Sequence, residues 1–81
     1  MPTWRDALPG CFSPLDRLFA MHSMDEAQAF QVLALARAED ATWREVSDFV
    51  RELLEGDGCS IQHIELALRQ VETRFRPWLR D

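Results

Sequence analysis

Residues Ser23–Gly56 read SMDEAQAFQVLALARAEDATWREVSDFVRELLEG, and this stretch decides the fold. It holds two S/T-x-x-E signatures, Ser23…Glu26 and Thr42…Glu45, each followed by apolar residues at helical spacing. Such a pair supplies a side-chain acceptor for orphan backbone N–H groups and a carboxylate that reaches back, so each signature marks a helix start. The stretch therefore predicts a helical hairpin. In its first helix Ala27, Ala29, Phe30, Val32, Leu33, Ala34, Leu35, Ala36 and Ala38 are apolar almost all round, with nothing charged between Glu26 and Arg37. That pattern belongs to a central helix packed on several sides. In the second, Trp43, Val46, Phe49, Val50, Leu53 and Leu54 form one stripe, and Arg44, Glu45, Asp48, Arg51, Glu52 and Glu55 cover the other face. Gly56 and Gly58 around Asp57 supply the stop signal.

Outward from the hairpin, Ser60 caps a further helix. In it Ile61, Ile64, Leu68, Val71, Phe75 and Trp78 step in threes and fours, a seam expected to be core. Pro77 ends or kinks this helix near Arg76. Ser13-Pro14 opens a short helix before the hairpin, with Leu15, Leu18 and Phe19 on its apolar side. Pro2, Pro9 and Gly10 give the first residues the look of an irregular arm. The expectation is all-α: one small domain over residues 1–81, a bundle of about four helices near 14–22, 24–38, 43–55 and 61–76, with the arm over 1–12.

Eighty-one residues leave no room for a second core. An apolar fraction of 47%, with three Trp and five Phe, excludes a disordered chain. The formal charge of −5 is unevenly placed. From Asp25 to Asp57 nine acids meet three Arg, a net of −6, while from Arg69 to Asp81 four Arg meet two acids, a net of +2. An acidic balance repels phosphate and suits a partner with a basic surface. No stretch approaches the ~20 apolar residues of a membrane span, and the first residues lack the pattern of a signal peptide. The expected compartment is the cytoplasm, with Cys11 and Cys59 as reduced thiols.

Chemistry-bearing constellations are few. Cys11, His22, Cys59 and His63 are the soft-ligand candidates, but Cys11 and His22 are ten residues apart, unlike the close pairs of structural zinc sites. Ser60, His63 and Asp57 lie near one another, yet Ser60 is better explained as a helix cap. No phosphate-cradling Gly-rich loop is present. The sequence thus points to a protein that is not an enzyme and needs no cofactor or metal.

Two surfaces are candidates. The acids Glu39, Asp40, Glu45, Asp48, Glu52 and Glu55 make a face suited to binding or inhibiting a macromolecular partner, in particular by occupying a basic site on a protein. The cations Arg69, Arg74, Arg76 and Arg80 make a second face, suited to a nucleic acid. A partly exposed seam on the last helix would also allow a homodimer.

Leu18-Phe19, Asp25, Ala29-Phe30, Leu33, Ala36, Trp43 and Val46-Ser47 carry a family resemblance. From Leu18 to Val50 the chain resembles the ANTAR domain, an RNA-binding helical module of bacterial antiterminator response regulators, with a one-residue deletion between its second and third helices. The resemblance implies a regulatory RNA binder acting in transcription antitermination. Two departures bear on that function. The family's basic segment would fall near Pro14 to Arg17, where Pro14 and Asp16 stand, and its basic turn is here Asp40-Ala41-Thr42.

Overall fold

The computed structural model describes residues 3–11 and 24–80. The short helix expected near 14–22, the Ser23 cap, His22 and Arg17 lie outside the described residues.

The chain enters through a structured segment where an irregular arm is expected. Thr3 is an N-cap: its hydroxyl accepts from the Asp6 N–H, and the Asp6 carboxylate accepts from the Thr3 N–H at 3.2 Å. This reciprocal box starts α1 (Trp4–Ala7). Leu8–Cys11 continues as a 3-10 turn, a conformation compatible with the fixed φ of Pro9. The segment is held by its apolar side chains. Trp4, Leu8 and Cys11 are fully buried, and Trp4 meets Phe49 edge-on at 5.5 Å between centroids. Each such side chain contributes about 1.5–3 kcal/mol, which offsets the cost of ordering an otherwise isolated four-residue helix.

The hairpin helices are α2 (Glu26–Ala38) and α3 (Trp43–Gly56). Asp25 caps α2, accepting from the Gln28 N–H at 3.1 Å. The cap therefore sits two residues later than Ser23, and Glu26 becomes the first helical residue. A carboxylate at this position adds its charge to the favourable field of the helix N-terminus. Thr42 caps α3 within a complete capping box with Glu45.

Both helices stop in the same way. After α3, the Cys59 N–H donates to the Leu54 carbonyl and the Gly58 N–H to the Glu55 carbonyl, with Gly58 at φ 81°. After α2, the Ala41 N–H donates to Ala36 and the Asp40 N–H to Arg37, with Asp40 at φ 57°. Each is a Schellman stop. The first uses the residue that takes positive φ freely, and the second places an aspartate there.

Ser60 caps α4 (Ile61–Phe75), its hydroxyl accepting from the His63 N–H. Pro77 lies in the 3-10 turn Arg76–Trp78 that follows. The last described residues then return to the hairpin. Thr42 and Arg80 form an isolated parallel bridge, and the Trp43 N–H donates to the Arg80 carbonyl at 2.7 Å.

The core is one cluster. Val32 and Ala36 of α2, Val46, Val50 and Leu54 of α3, and Ile64, Ala67, Val71 and Phe75 of α4 close around Trp4 and Leu8. The α4 seam is narrower than its spacing suggests. Ile61 is 73% exposed at the first helical position, and Trp78, displaced from helical phase by the Pro77 turn, is 59% exposed. The result is an all-α bundle with principal extents of 31 × 22 × 19 Å.

Candidate functional site

The six acids of the predicted face divide into two groups. Glu39, Asp40 and Glu45 lie around the α2–α3 turn, and each is engaged from far along the chain. The Glu39 Oε2 accepts from the Trp4 N–H at 3.0 Å. Asp40 pairs with Arg80. Glu45 closes the Thr42 capping box and lies 3.4 Å from the Arg5 guanidinium, which itself stacks 4.5 Å over the Trp4 ring. These three carboxylates fasten the first and last described segments to the hairpin turn. The two ion pairs, Arg5–Glu45 and Arg80–Asp40, are solvent-accessible, so each contributes at most about 1 kcal/mol, whereas the Trp4–Glu39 bond is part-buried.

Asp48, Glu52 and Glu55 are different. All three are exposed on α3, and their carboxylates make no hydrogen bond or ion pair among the described residues. Their three- and four-residue steps place them in one row, opposite Val46, Val50 and Leu54. The helix is held rigid by its capping box and Schellman stop, so the row is a fixed line of negative charge about two turns long.

The basic face is largely engaged. Arg76 pairs with Glu72 at 2.7 Å, Arg74 with Glu26 at 2.9 Å, and Arg80 with Asp40. Arg69 contributes its carbonyl to the Thr73 hydroxyl. Arg74 has a second feature: its Nη1 is buried without a hydrogen-bond partner among the described residues.

The candidate ligating groups do not converge. Cys11 and Cys59 are not joined in a disulfide, and the first is buried and the second half-buried. Among the described residues no three His, Cys, Asp or Glu are grouped so as to hold a metal ion. Burial pushes the Cys11 thiol up from 9.0 to about 11, with the Asp25 carboxylate adding to the effect and Arg74 opposing it. The Ser60 hydroxyl lies 3.1 Å from His63 Nδ1 while accepting from the His63 backbone, the geometry of a cap within one helical turn.

One surface is not apparent from the sequence pattern. Phe30, on the helix expected to be buried all round, is 74% exposed. With Leu33, Ala34, Arg37 and Trp78 it lines an apolar groove of about 290 Å³. Arg37 lies 5.9 Å from the centre of the Trp78 ring. The missing signal was the end of the α4 seam: once Trp78 leaves the core, no described residue of α4 covers the outer side of α2.

No protein-family model, curated protein or solved structure matches this chain. Among the described residues no helix is long and apolar enough to cross a membrane.

Proposed function

We propose that this chain is a non-enzymatic interaction protein that binds, and so can inhibit, a macromolecular partner through the acidic row Asp48, Glu52 and Glu55. The observation behind this reading is that these three carboxylates are exposed, aligned on a rigid helix and unpaired among the described residues. Asp48–Glu52 and Glu52–Glu55 are like-charge neighbours that cost the fold some self-repulsion, only partly offset by Arg44 and Arg51 on the same face. A basic surface on a partner recovers that cost and gains electrostatic steering. The fitting partner is a protein with clustered Arg or Lys, including one whose own ligand is a nucleic acid. Glu39, Asp40 and Glu45 belong to the fold's fastening and border the row.

The test compares affinity capture from the native host by the unchanged chain, by the double variant Asp48→Arg/Glu52→Arg, and by a control reversed at Glu65→Arg on α4. A partner held by the unchanged chain and the control, and lost by the double variant and by raised salt, meets the expectation. Capture unaffected by the double variant, with helicity retained, sinks it. Recovery of a structured RNA, lost when Arg69, Arg74 and Arg76 are neutralised, would favour the ANTAR-like antitermination reading instead.

A further inference from the structure

The outer face of α2 is an apolar surface that the described residues leave exposed. Ala27, Phe30, Ala34 and Ala38 are all exposed on a helix that carries no charge from Ala27 to Ala36. Only Gln28 and Gln31 break this exposed apolar surface before Arg37, and covering it is favourable in water. Ala34, small and beside Phe30, permits a second helix to approach, and the large Phe30 and Trp78 have the character of interface anchors.

The charges at the ends of this face say what covers it. Glu26, Phe30, Leu33 and Arg37 fall on one line of α2, in the order acid, apolar, apolar, base. Read backwards, the line complements itself. An antiparallel copy turned about a two-fold axis between Gln31 and Val32 sets Glu26 opposite Arg37 and Phe30 opposite Leu33, twice over. That is the definition of an isologous interface. Arg37 has an exposed guanidinium with no ion pair among the described residues. The Glu26 side chain is 83% exposed and uses Oε1 for Arg74. The groove between Leu33, Ala34 and Trp78 stands where the Phe30 ring of the second copy arrives.

We infer that the chain forms a two-fold homodimer through antiparallel α2 helices, with Phe30 of each copy seated in the Leu33–Trp78 groove of the other and two Glu26–Arg37 pairs closing the ends. This moves self-association from the α4 seam, where Ile64, Val71 and Phe75 are consumed by the core, to α2. It rests on different residues from the acidic row, so either reading can fail alone.

The test is a charge swap read by sedimentation velocity over a concentration series. The unchanged chain is expected to pass from monomer to dimer. Glu26→Arg alone and Arg37→Glu alone each place like charges opposite one another at both ends, and each should weaken the dimer at least tenfold. Mixing the two variants restores both pairs in a heterodimer alone, so the equimolar mixture should associate as the unchanged chain does. Phe30→Glu should abolish the dimer, and circular dichroism checks that every variant keeps its helices. An unchanged chain that stays monomeric at millimolar concentration overturns the inference, whatever other protein occupies the groove. So does a mixture that associates no better than its components, since the antiparallel register requires the rescue.

Discussion

Helices α2 and α3 are joined by one short turn and end in the same hydrogen-bonded stop, yet they use their sequences in opposite ways. In α3 the apolar stripe and the buried side coincide: Val46, Val50 and Leu54 are inside, while Asp48, Glu52 and Glu55 are outside. In α2 the inward side is made of Ala29, Val32 and Ala36, and the largest residue, Phe30, points out. In amphipathic α3 the apolar side is used up by the core, and what remains outside is charge. Apolar α2 leaves Ala27, Phe30, Ala34 and Ala38 exposed. The difference separates residues that specify the fold from residues available to an interface, and it can be tested one residue at a time.

The largest effect lies in the α3 core. Leu54→Ala should cost about 2–5 kcal/mol, from lost transfer energy and the cavity left behind. Phe30→Ala, measured on the monomer at low concentration, should stay within about 0.5 kcal/mol. Urea denaturation of both variants checks the contrast, and a large loss at Phe30 would break it.

The inward side of α2 can be weakened by alkali alone. Cys11 lies against the start of this helix, its carbonyl accepting from the Asp25 N–H. Its thiol is raised to about 11 in the fold, so the unfolded chain ionises first, near 9. In that window the native state binds more protons than the unfolded state, and stability falls as pH rises. Two units correspond to roughly 2–3 kcal/mol, present in full below pH 9 and lost toward pH 11. The chain contains no Lys or Tyr to obscure the transition. Cys11→Ser or Cys11→Ala should flatten the pH profile of the urea midpoint.

The caps come next. Thr42→Ala removes the α3 box and should cost about 1 kcal/mol, and Asp25→Ala a similar amount at α2. Thermal unfolding at neutral pH measures both. The smallest effects come from the paired stops. Gly58→Ala should destabilise by about 1 kcal/mol through backbone strain alone, because an added Cβ there meets nothing. Asp40→Gly relieves the positive φ and loses the Arg80 pair, leaving a net change under about 1 kcal/mol. The two mutations run in opposite chemical directions at equivalent positions, so measuring both sharpens the comparison.

What was legible in the sequence was what neighbouring residues decide. Thr42…Glu45, Ser60 and Gly58 announce their helix ends because each cap is satisfied within four residues. The same logic was available at Thr3…Asp6, but Pro2, Pro9 and Gly10 suggested an arm. The burial of Trp4 against Phe49, across more than forty positions, is what gives that capped turn something to hold. The candidate acids show the limit most clearly. Nothing local distinguishes Glu39 from Glu52. The first is claimed by the Trp4 backbone and the second is not, and only the path of the chain assigns them. Trp78 was misplaced for a related reason, since Pro77 ends the helical phase on which its position in the seam depended.

The turn between α2 and α3 receives Trp4 and Arg5 from one side and Arg80 from the other, with partners 35 to 40 positions away. In kinetic terms these contacts are expensive, because closing such long loops costs entropy before any contact forms. The caps and short-range stops can form early, whereas this junction needs both ends of the described chain brought back to the hairpin. The Trp43 amide, bonded to Arg80 rather than to its own helix, is the natural reporter. It should exchange with solvent through a local opening that leaves the Val50 amide protected, making the two fastened ends one cooperative unit above a more persistent helical core.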